Sequence, residues 1–305
     1  MQKTCSPIDE ICSAPIGLGC MRLCSLSDEK AVRRLVDTAL EHGIRLFDHA
    51  DIYEGGASEA LFGRSVPHSY RDRILLQSKC GIRPGVCYDL SREYILKSVE
   101  DSLKRLGTDH LDLLLLHRPD ALAEPEEIAE AFALLRQSGK VLAFGVSNHS
   151  PMQIELLERA CGGQIRVDQM QMSLAHCPGI DAGFHVNMTD PLSCSRGGDL
   201  LSYSRLRGIK LQAWSPFQYG TFGGSFIGSG KFPLLNRTLS EMAGKYGVTE
   251  NAVAVAWLLR HPAGITPIVG TVNAERLKGI AAAAGIRLSR EDWYKLYLAA
   301  GKELP

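Results

Sequence analysis

Four side chains suited to proton transfer follow three consecutive apolar runs of the sequence. Asp48 and Tyr53 come after the run at 44–47, Lys79 after the run at 74–78, and His117 after the run at 111–116. If the three runs are neighbouring parallel strands, their C-terminal ends lie side by side and bring these residues together. The spacing therefore predicts one site with an acid, a phenol, an amine and an imidazole, a set suited to general acid–base chemistry.

A lysine in such a place is costly to bury unless a carboxylate pairs with it, and Asp48 on the adjacent run is the expected partner. The ammonium should then act on Tyr53. A free tyrosine has a pKa of about 10, which makes it a poor acid at neutral pH. Because a neighbouring positive charge favours the phenolate, we expect Lys79 to lower the pKa of Tyr53 and make it a proton donor.

Two other interpretations of these residues stay open at this point. His117 could be a hydrogen-bonded core histidine, and Asp48 and Lys79 a structural ion pair. A metal-dependent barrel hydrolase would use His49, Asp48 and His117 as ligands, but it leaves Lys79 and Tyr53 without a role. Four such residues at the ends of three consecutive runs favour a catalytic site without a metal.

The elements that would position these residues alternate along the whole chain. Short runs rich in Ile, Val and Leu are separated by amphipathic stretches of helical period. They predict eight strands, at 16–19, 45–49, 74–79, 111–117, 141–148, 167–172, 210–214 and 266–270. Ser91 and Gly107 are typical of the two ends of one intervening helix, and Ser289 precedes a last helix at 293–300.

Eight β/α units in 305 residues predict an α/β fold, a (β/α)₈ TIM barrel with an additional C-terminal helix. No change of composition marks a linker, so residues 1–305 are expected to form a single domain. A doubly wound open sheet is the alternative. Its glycine fingerprint is incomplete here, because the segment that begins at Gly17 has Arg22 where the third glycine is required.

Two predicted connections, 177–198 and the glycine-rich 216–233, are longer than usual loops. Loops of this length either cover a functional site or are disordered. The second one ends in Gly230-Lys231 but has Ser225 and Phe232 where a phosphate-binding loop requires Gly and Ser or Thr. The sequence therefore argues against ATP hydrolysis.

Composition excludes several classes of partner. Thirty-four basic and 34 acidic residues give zero formal charge, which argues against nucleic acid and anionic membrane surfaces as partners. No apolar run approaches the roughly 20 residues of a spanning helix, and residues 1–15 lack a signal-peptide stretch, so we expect a cytoplasmic protein. The nine cysteines contain no Cys-x-x-Cys pair and are interpreted as reduced thiols, with Cys80 set apart because it follows Lys79.

Four segments together resemble the aldo-keto reductase superfamily, in order and over nearly the whole chain. They are FDHADIYEGGASE at 47–59, SK at 78–79, LLHRPD at 115–120 and GVSN at 145–148. The resemblance is greatest to bacterial oxidoreductases of undefined substrate. It implies a barrel that binds NADP(H), in preference to NAD(H), without a Rossmann domain, and that reduces small aldehydes or ketones to alcohols.

The same resemblance implies a role for each residue of the tetrad. Tyr53 would donate the proton as hydride reaches the carbonyl carbon, Lys79 and Asp48 would tune it, and His117 would orient the carbonyl oxygen. A different class of function is also open, a regulatory barrel that keeps its cofactor and turns over little. The sequence leaves the physiological substrate, the direction of reaction and the oligomeric state open.

The resemblance also implies the cofactor-binding residues. Ser147, Asn148 and Gln169 match residues that hydrogen-bond the nicotinamide amide, and Trp214 matches an aromatic residue that stacks on the ring. The strand that ends at Trp214 continues into Ser215 and Pro216 and then into a glycine-rich stretch that looks like a cover for the pyrophosphate. Gly270, Thr271 and Arg276 resemble the segment that holds the adenosine 2′-phosphate, where a helix N-terminus and a guanidinium suit an anion.

Overall fold

The computed structural model of the chain describes residues 7–26, 28–186, 188–194, 199–220 and 223–305. Its strands are β1 (Gly17–Gly19), β2 (Leu46–Asp48), β3 (Leu75–Cys80), β4 (Ile82–Arg83), β5 (Cys87–Tyr88), β6 (Leu113–Leu116), β7 (Phe144–Ser147), β8 (Ile165–Gln171), β9 (Lys210–Trp214) and β10 (Thr266–Val269). Its α-helices are α1 (Pro7–Ser13), α2 (Glu29–Glu41), α3 (Ala57–Ser65), α4 (Arg92–Leu106), α5 (Pro125–Gln137), α6 (Pro151–Cys161), α7 (Pro178–Phe184), α8 (Leu200–Arg207), α9 (Pro233–Tyr246), α10 (Glu250–Leu259), α11 (Ala274–Ala281) and α12 (Arg290–Ala299).

Eight of these strands close into one parallel barrel in the order β1-β10-β9-β8-β7-β6-β3-β2. The predicted (β/α)₈ barrel is therefore confirmed, and the doubly wound alternative is wrong because the sheet has no free edge. The remaining strands, β4 and β5, form an antiparallel hairpin after β3. This hairpin was not predicted from the sequence, since two-residue strands are too short to produce an alternating pattern.

Helix ends follow the local signals of the sequence. The Ser91 side chain accepts a hydrogen bond from the backbone N–H of Tyr94 at the start of α4, and Gly107 ends that helix with a left-handed φ of 64°. Ser289 in the same way accepts from the N–H of Asp292, and α12 follows it as the predicted C-terminal helix. These caps satisfy backbone donors that have no partner inside the helix.

The N-terminal end of the barrel is closed by α1, which the sequence analysis did not predict. Ile11 of this helix is fully buried against inward-facing Leu46, Leu113 and Val167. The hydroxyl of Thr266 also donates to the carbonyl of Ala14, just beyond the helix, at 2.8 Å. A seven-residue helix contains too few apolar repeats to show a period, so only its packing against the barrel reveals it.

Helix α12 is held to the barrel wall by a reciprocal tryptophan contact. The indole N–H of Trp257 on α10 donates to the carbonyl of Trp293, and that of Trp293 donates to the carbonyl of Trp257, at 3.1 and 3.0 Å. Their rings stack with centroids 4.7 Å apart. Both N–H groups are satisfied in an apolar surrounding, so the pair can be buried without an unpaired donor.

The predicted long loop at 177–198 contains helix α7 and is not a bare connection. Asp181 of this helix accepts hydrogen bonds from the Tyr297 hydroxyl at 2.9 Å and from Lys302 at 2.5 Å, which ties the segment to the C-terminal part of the chain. Residues 187 and 195–198 of the predicted loop lie outside the described residues. No helix in the described ranges is long and apolar enough to cross a bilayer.

Candidate active site

Asp48 ends strand β2, Lys79 lies near the end of β3, and His117 directly follows β6, so the three stand on consecutive strands of the barrel. Strands β2, β3 and β6 are neighbours, with Asp48 opposite Gln77 and Lys79 opposite Leu115. Their C-terminal ends form one mouth of the barrel. The residues predicted from strand ends therefore share a rim.

Lys79 is the centre of the contacts among these residues. Its ammonium donates to Asp48 Oδ1 at 2.6 Å, to the carbonyl of His49 at 2.8 Å and to the hydroxyl of Tyr53 at 3.1 Å. The side chains of Lys79 and Asp48 are almost completely buried. All three ammonium protons thus have acceptors, which is the condition under which a buried lysine keeps its charge.

The pKa of Tyr53 shifts in the direction opposite to the one predicted from the sequence. Burial raises the pKa of Tyr53 above its ordinary value, and the opposing effect of the Lys79 charge does not offset it. The prediction of a lowered pKa was wrong, because the desolvation of the phenolate outweighs the attraction of the ammonium. For Lys79, burial is the largest influence and lowers the pKa, but Asp48 and Tyr53 together raise it more, and the net direction is upward. At neutral pH Tyr53 therefore carries its proton beside a charged lysine.

His117 lies edge-on to Tyr53, with ring centroids 6.2 Å apart and the planes at 85°. Burial, followed by the charges of Lys79 and Arg118, lowers the pKa of His117 to about 3. Its Nδ1 is buried and has no hydrogen-bond partner among the described residues. A neutral imidazole next to the phenol can orient a polar oxygen without competing for the proton.

A tight backbone turn directs Tyr53 towards Lys79. Glu54, Gly55 and Gly56 all have left-handed φ angles, of 50°, 62° and 91°, and α3 begins at the next residue. A Cβ atom at Gly56 would lie 2.8 Å from the Arg105 side chain, so glycine is required there both for its conformation and for its size. The chain reverses within three residues and places the phenol within hydrogen-bonding distance of Lys79.

Glu59 fixes the position of this turn through hydrogen bonds to the two neighbouring elements, β3 and α4. It is fully buried in α3, where one carboxylate oxygen accepts from the Ser78 hydroxyl at 2.6 Å and the other from Arg105 at 2.8 Å. The first contact fixes α3 to β3 one residue before Lys79, and the second fixes it to α4. The positions of Tyr53 and Lys79 are thereby coupled through Glu59.

Beneath the tetrad lies an amide network of three glutamines, of which Gln169 was predicted as a cofactor residue and Gln77 and Gln212 were not predicted. Gln77 and Gln212 donate to each other at 2.9 and 2.8 Å across the barrel, and the Gln77 amide also donates to Asp48 Oδ1. Gln169 donates to the same Asp48 oxygen at 3.0 Å and to Gln212 at 2.9 Å. Gln77 precedes Lys79 by two residues, so the two-residue period of a strand was the signal that could have found it.

The predicted nicotinamide-binding residues meet one another beside this network. The amide of Asn148 donates to Ser147 Oγ at 2.8 Å and accepts from the Trp214 indole N–H at 3.1 Å, and the Ser147 hydroxyl donates to the carbonyl of Gln169 at 2.8 Å. Asn148 has a left-handed φ of 61°. Through Gln169 this cluster is joined to Asp48, and so to the tetrad.

The predicted phosphate-binding residues lie on the rim near β10. Thr271 accepts a hydrogen bond from the N–H of Asn273, which caps the start of α11, and Arg276 lies exposed in the first turn of that helix. The Arg276 guanidinium makes no hydrogen bond or ion pair with the described residues. Arg22, which follows β1, donates to the carbonyl of Gly270 at 2.5 Å, so a second guanidinium that the prediction did not include stands at this rim.

The glycine-rich stretch after Ser215 and Pro216 is folded back on α9. The Asn236 side chain donates to the carbonyls of Phe226, Ser229 and Phe232 and accepts from the N–H of Gly228. Residues 221 and 222 lie outside the described residues. One asparagine thus holds the second half of the loop in a defined shape next to the barrel mouth.

The residues that a metal-dependent hydrolase would need do not converge. His49 is fully buried and packs edge-on against Phe62 at 4.6 Å, with neither ring nitrogen bonded within the described chain. No group of three or more His, Cys, Asp or Glu side chains in the described ranges is arranged to hold a metal ion. Cys80 is likewise buried, and its burial raises the pKa of the thiol well above the usual range, so it is a poor nucleophile.

Comparison with known proteins establishes the family. The model of the Aldo/keto reductase family matches residues 15–297, and the chain belongs to that family. A 6-dehydroglucose reductase of Agrobacterium fabrum is 38% identical over 285 residues, which cover 90% of this chain and 89% of the relative. The oxidoreductase YdhF of Escherichia coli is 36% identical over 290 residues and covers 90% of each chain.

Solved structures agree with this assignment. An aldo/keto reductase from Klebsiella pneumoniae in complex with NADP and acetate superposes with a TM-score of 0.76 at 27% identity, covering 95% of this chain and 93% of that chain. A second structure from Klebsiella pneumoniae, in complex with NADPH, gives a TM-score of 0.74 at 26% identity. The predicted family and fold are therefore confirmed, and the chain is an oxidoreductase of the aldo/keto reductase family.

Proposed function

We propose that this protein is an NADP(H)-dependent reductase that converts aldehyde or ketone carbonyls to alcohols, with residues 1–305 acting as one domain. The observation that carries the proposal is the contact of a fully buried lysine with both Asp48 and the hydroxyl of Tyr53 at the barrel mouth. A protonated phenol next to a fixed positive charge can donate its proton to an oxygen that develops negative charge.

In this proposal Tyr53 is the general acid. Burial keeps its pKa above the ordinary value, so the proton is present at neutral pH and leaves only when a strong base, such as a developing alkoxide, forms beside it. Lys79 stabilises the phenolate that remains, and Asp48 holds the ammonium in place. His117, neutral and adjacent, orients the carbonyl oxygen towards the phenol.

The residues at the mouth fit a dinucleotide phosphate. When bound, NADP(H) supplies or accepts the hydride. Ser147, Asn148 and Gln169 offer amide and hydroxyl groups of both polarities for a carboxamide, and the indole of Trp214 offers a flat face for an aromatic ring. At the other side of the rim, the unpaired guanidinium of Arg276 in the first turn of α11 suits a phosphate group.

The comparisons support the cofactor and the reaction class. Two aldo-keto reductase structures from Klebsiella pneumoniae carry NADP or NADPH, and two relatives of this chain are named 6-dehydroglucose reductases. We therefore propose NADP(H) as the cofactor, with NAD(H) second, and a small carbonyl compound as the substrate.

The proposal is tested by following NADPH oxidation by the purified protein with a panel of small aldehydes, ketones and quinones, with NADH in parallel. We expect turnover of at least one carbonyl and a higher kcat/KM with NADPH than with NADH. NADPH binding detected by fluorescence without turnover of any compound in the panel would contradict the proposal and favour the regulatory barrel instead.

A further inference from the structure

Arg118 stands at the reacting end of the mouth, one residue after His117. Its side chain is half-buried, and its guanidinium carbon lies 6.0 Å from the ring centroid of Trp214. The Arg118 charge contributes, after burial, to the lowering of the pKa of His149 to about 4, as it does for His117. The guanidinium therefore lies close to the Trp214 indole and to the two imidazoles of His117 and His149.

No carboxylate in the described part of the chain pairs with Arg118, and it makes no hydrogen bond there. The other buried or half-buried cations around the site are compensated: Lys79 by Asp48 and Arg105 by Glu59. Asp120, the acidic residue next in sequence, instead accepts from the backbone N–H groups of Leu90 and Leu122.

The two imidazoles near Arg118 do not supply a negative charge either, because both are neutral at pH 7. A guanidinium in a protein keeps its proton, and a partly buried one without an anion has lost hydration that no charged partner replaces. Among the described residues, the side of the mouth next to His117 thus carries a positive charge, that of Arg118, which no anion compensates and which lies close to the place where the substrate carbonyl would be held.

We propose that Arg118 determines specificity by binding a carboxylate of the substrate, so that the enzyme prefers carbonyl compounds that carry a carboxylate over neutral ones. The inference rests on the proposed carbonyl reductase activity and names the substrate class of that same site. A guanidinium binds a carboxylate through two parallel N–H···O bonds, which would fix the orientation of the molecule as well as hold it.

The position of Arg118 supports this role over one in binding the adenosine phosphate of the cofactor. It directly follows His117, which we assign to the carbonyl oxygen, and its guanidinium carbon lies 6.0 Å from the centroid of the Trp214 ring, which we assign to the nicotinamide. The candidate phosphate site at Arg276 lies beyond β10, on the other side of the barrel mouth. A carboxylate bound at Arg118 would therefore belong to the molecule whose carbonyl lies between His117 and Tyr53.

The experiment compares 4-carboxybenzaldehyde with its methyl ester, which has nearly the same shape and no charge. In the native enzyme we expect kcat/KM for the acid to exceed that for the ester at least tenfold. In Arg118→Gln this ratio should fall at least tenfold, and Arg118→Lys should retain part of it. The matched control is Arg207→Gln on α8, where the arginine pairs with Glu155 away from the mouth, and its ratio should stay within twofold of native.

The outcomes separate this inference from the proposed function. If the native enzyme reduces neither compound, nor any other carbonyl, the reductase activity itself is refuted. If it reduces the ester as well as the acid, or if Arg118→Gln leaves the ratio unchanged, the role of Arg118 is refuted while the activity stands. A weaker NADPH affinity in Arg118→Gln with an unchanged ratio would assign the residue to the cofactor, and an equal loss for glyceraldehyde would show that it binds neutral hydroxyl groups.

Discussion

The two ends of the barrel are built from the same strands but carry opposite chemistry. On β2 the inward-facing position changes from Leu46 to Asp48, and on β3 it changes from Leu75 through Gln77 to Lys79. The apolar end is closed by α1, whereas the polar end is open at the mouth. Because inward positions recur every second residue, a step of two along one strand is enough to pass from core to catalytic site.

The difference teaches how each end is stabilised. At the apolar end the free energy of folding comes from apolar surface that is removed from water. Such packing tolerates substitutions that change the shape of a side chain as long as its volume is kept. At the mouth the buried polar groups of Asp48, Gln77 and Lys79 depend on hydrogen bonds of fixed direction, and a buried ion pair such as that of Lys79 and Asp48 adds little net stability. Substitutions at the mouth should therefore change catalysis most. Substitutions at the closed end should change stability alone.

The largest expected effect is that of Tyr53→Phe on turnover. Phenylalanine keeps the ring but removes the proton that would reach the developing alkoxide, so kcat for a carbonyl that the native enzyme reduces should fall by about 10²–10⁴-fold. NADPH affinity, measured by fluorescence titration, should stay nearly unchanged, since other residues are assigned to the cofactor. Tyr203→Phe, which removes a hydroxyl bonded to Glu155 on the outside of the barrel, is the control. Near-native activity in Tyr53→Phe would mean that another group is the acid.

Lys79→Met should lower kcat to a similar extent and also lower stability. Without the ammonium the phenolate of Tyr53 loses its stabilising charge, and Asp48 becomes a buried carboxylate without a counter-charge, a change that typically costs about 3–5 kcal/mol of unfolding free energy. Urea denaturation should therefore separate this variant from Tyr53→Phe, whose stability should stay close to native. Lys97→Met, which breaks an exposed pair with Asp101, is the matched control. Equal stability of Lys79→Met and native protein would contradict the burial of the pair.

At the closed end of the barrel, Ile11→Ala should change stability without changing catalysis. It removes a fully buried side chain of α1 and leaves a cavity against Leu46 and Leu113, with a typical cost of about 2–5 kcal/mol. The variant should unfold at a lower urea concentration and keep its kcat. Leu206→Ala, at a side chain that is 86% exposed, should leave the midpoint unchanged. A large loss of kcat in folded Ile11→Ala would show that the two ends are coupled.

The smallest of these effects is expected for Arg276→Ala, in the first turn of α11 on the rim beyond β10. Only NADPH brings a phosphate that this guanidinium can meet, and a hydrogen bond to a charged group contributes roughly 1.5–3 kcal/mol. Fluorescence titration should show weaker NADPH binding, unchanged NADH binding and the same kcat at saturation. Arg287→Ala, another exposed arginine, serves as the control. Equal affinities for the two cofactors in the native protein would remove the basis of this prediction.

Much of the fold and of the candidate site follows from the sequence by itself. Alternating apolar runs and amphipathic stretches determined the eight strands, and the strand at 210–214 was predicted to the residue. The positions of Asp48, Lys79 and His117 were also readable, because parallel strands in a barrel end at one mouth, so a polar residue after each run must face the same space.

Only the tertiary structure decided the rest, because it depends on contacts between distant parts of the chain. Gln77 meets Gln212 from 135 residues away, and nothing local in either segment marks the other. The direction in which the pKa of Tyr53 shifts depends on how deeply the phenol is buried, because the effect of burial outweighs that of the Lys79 charge. The unpaired state of Arg118 is likewise a property of the folded mouth. Sequence patterns show the periodicity and the ends of strands and helices. How deeply a side chain is buried, and which group pairs with it, is decided only when the barrel has closed.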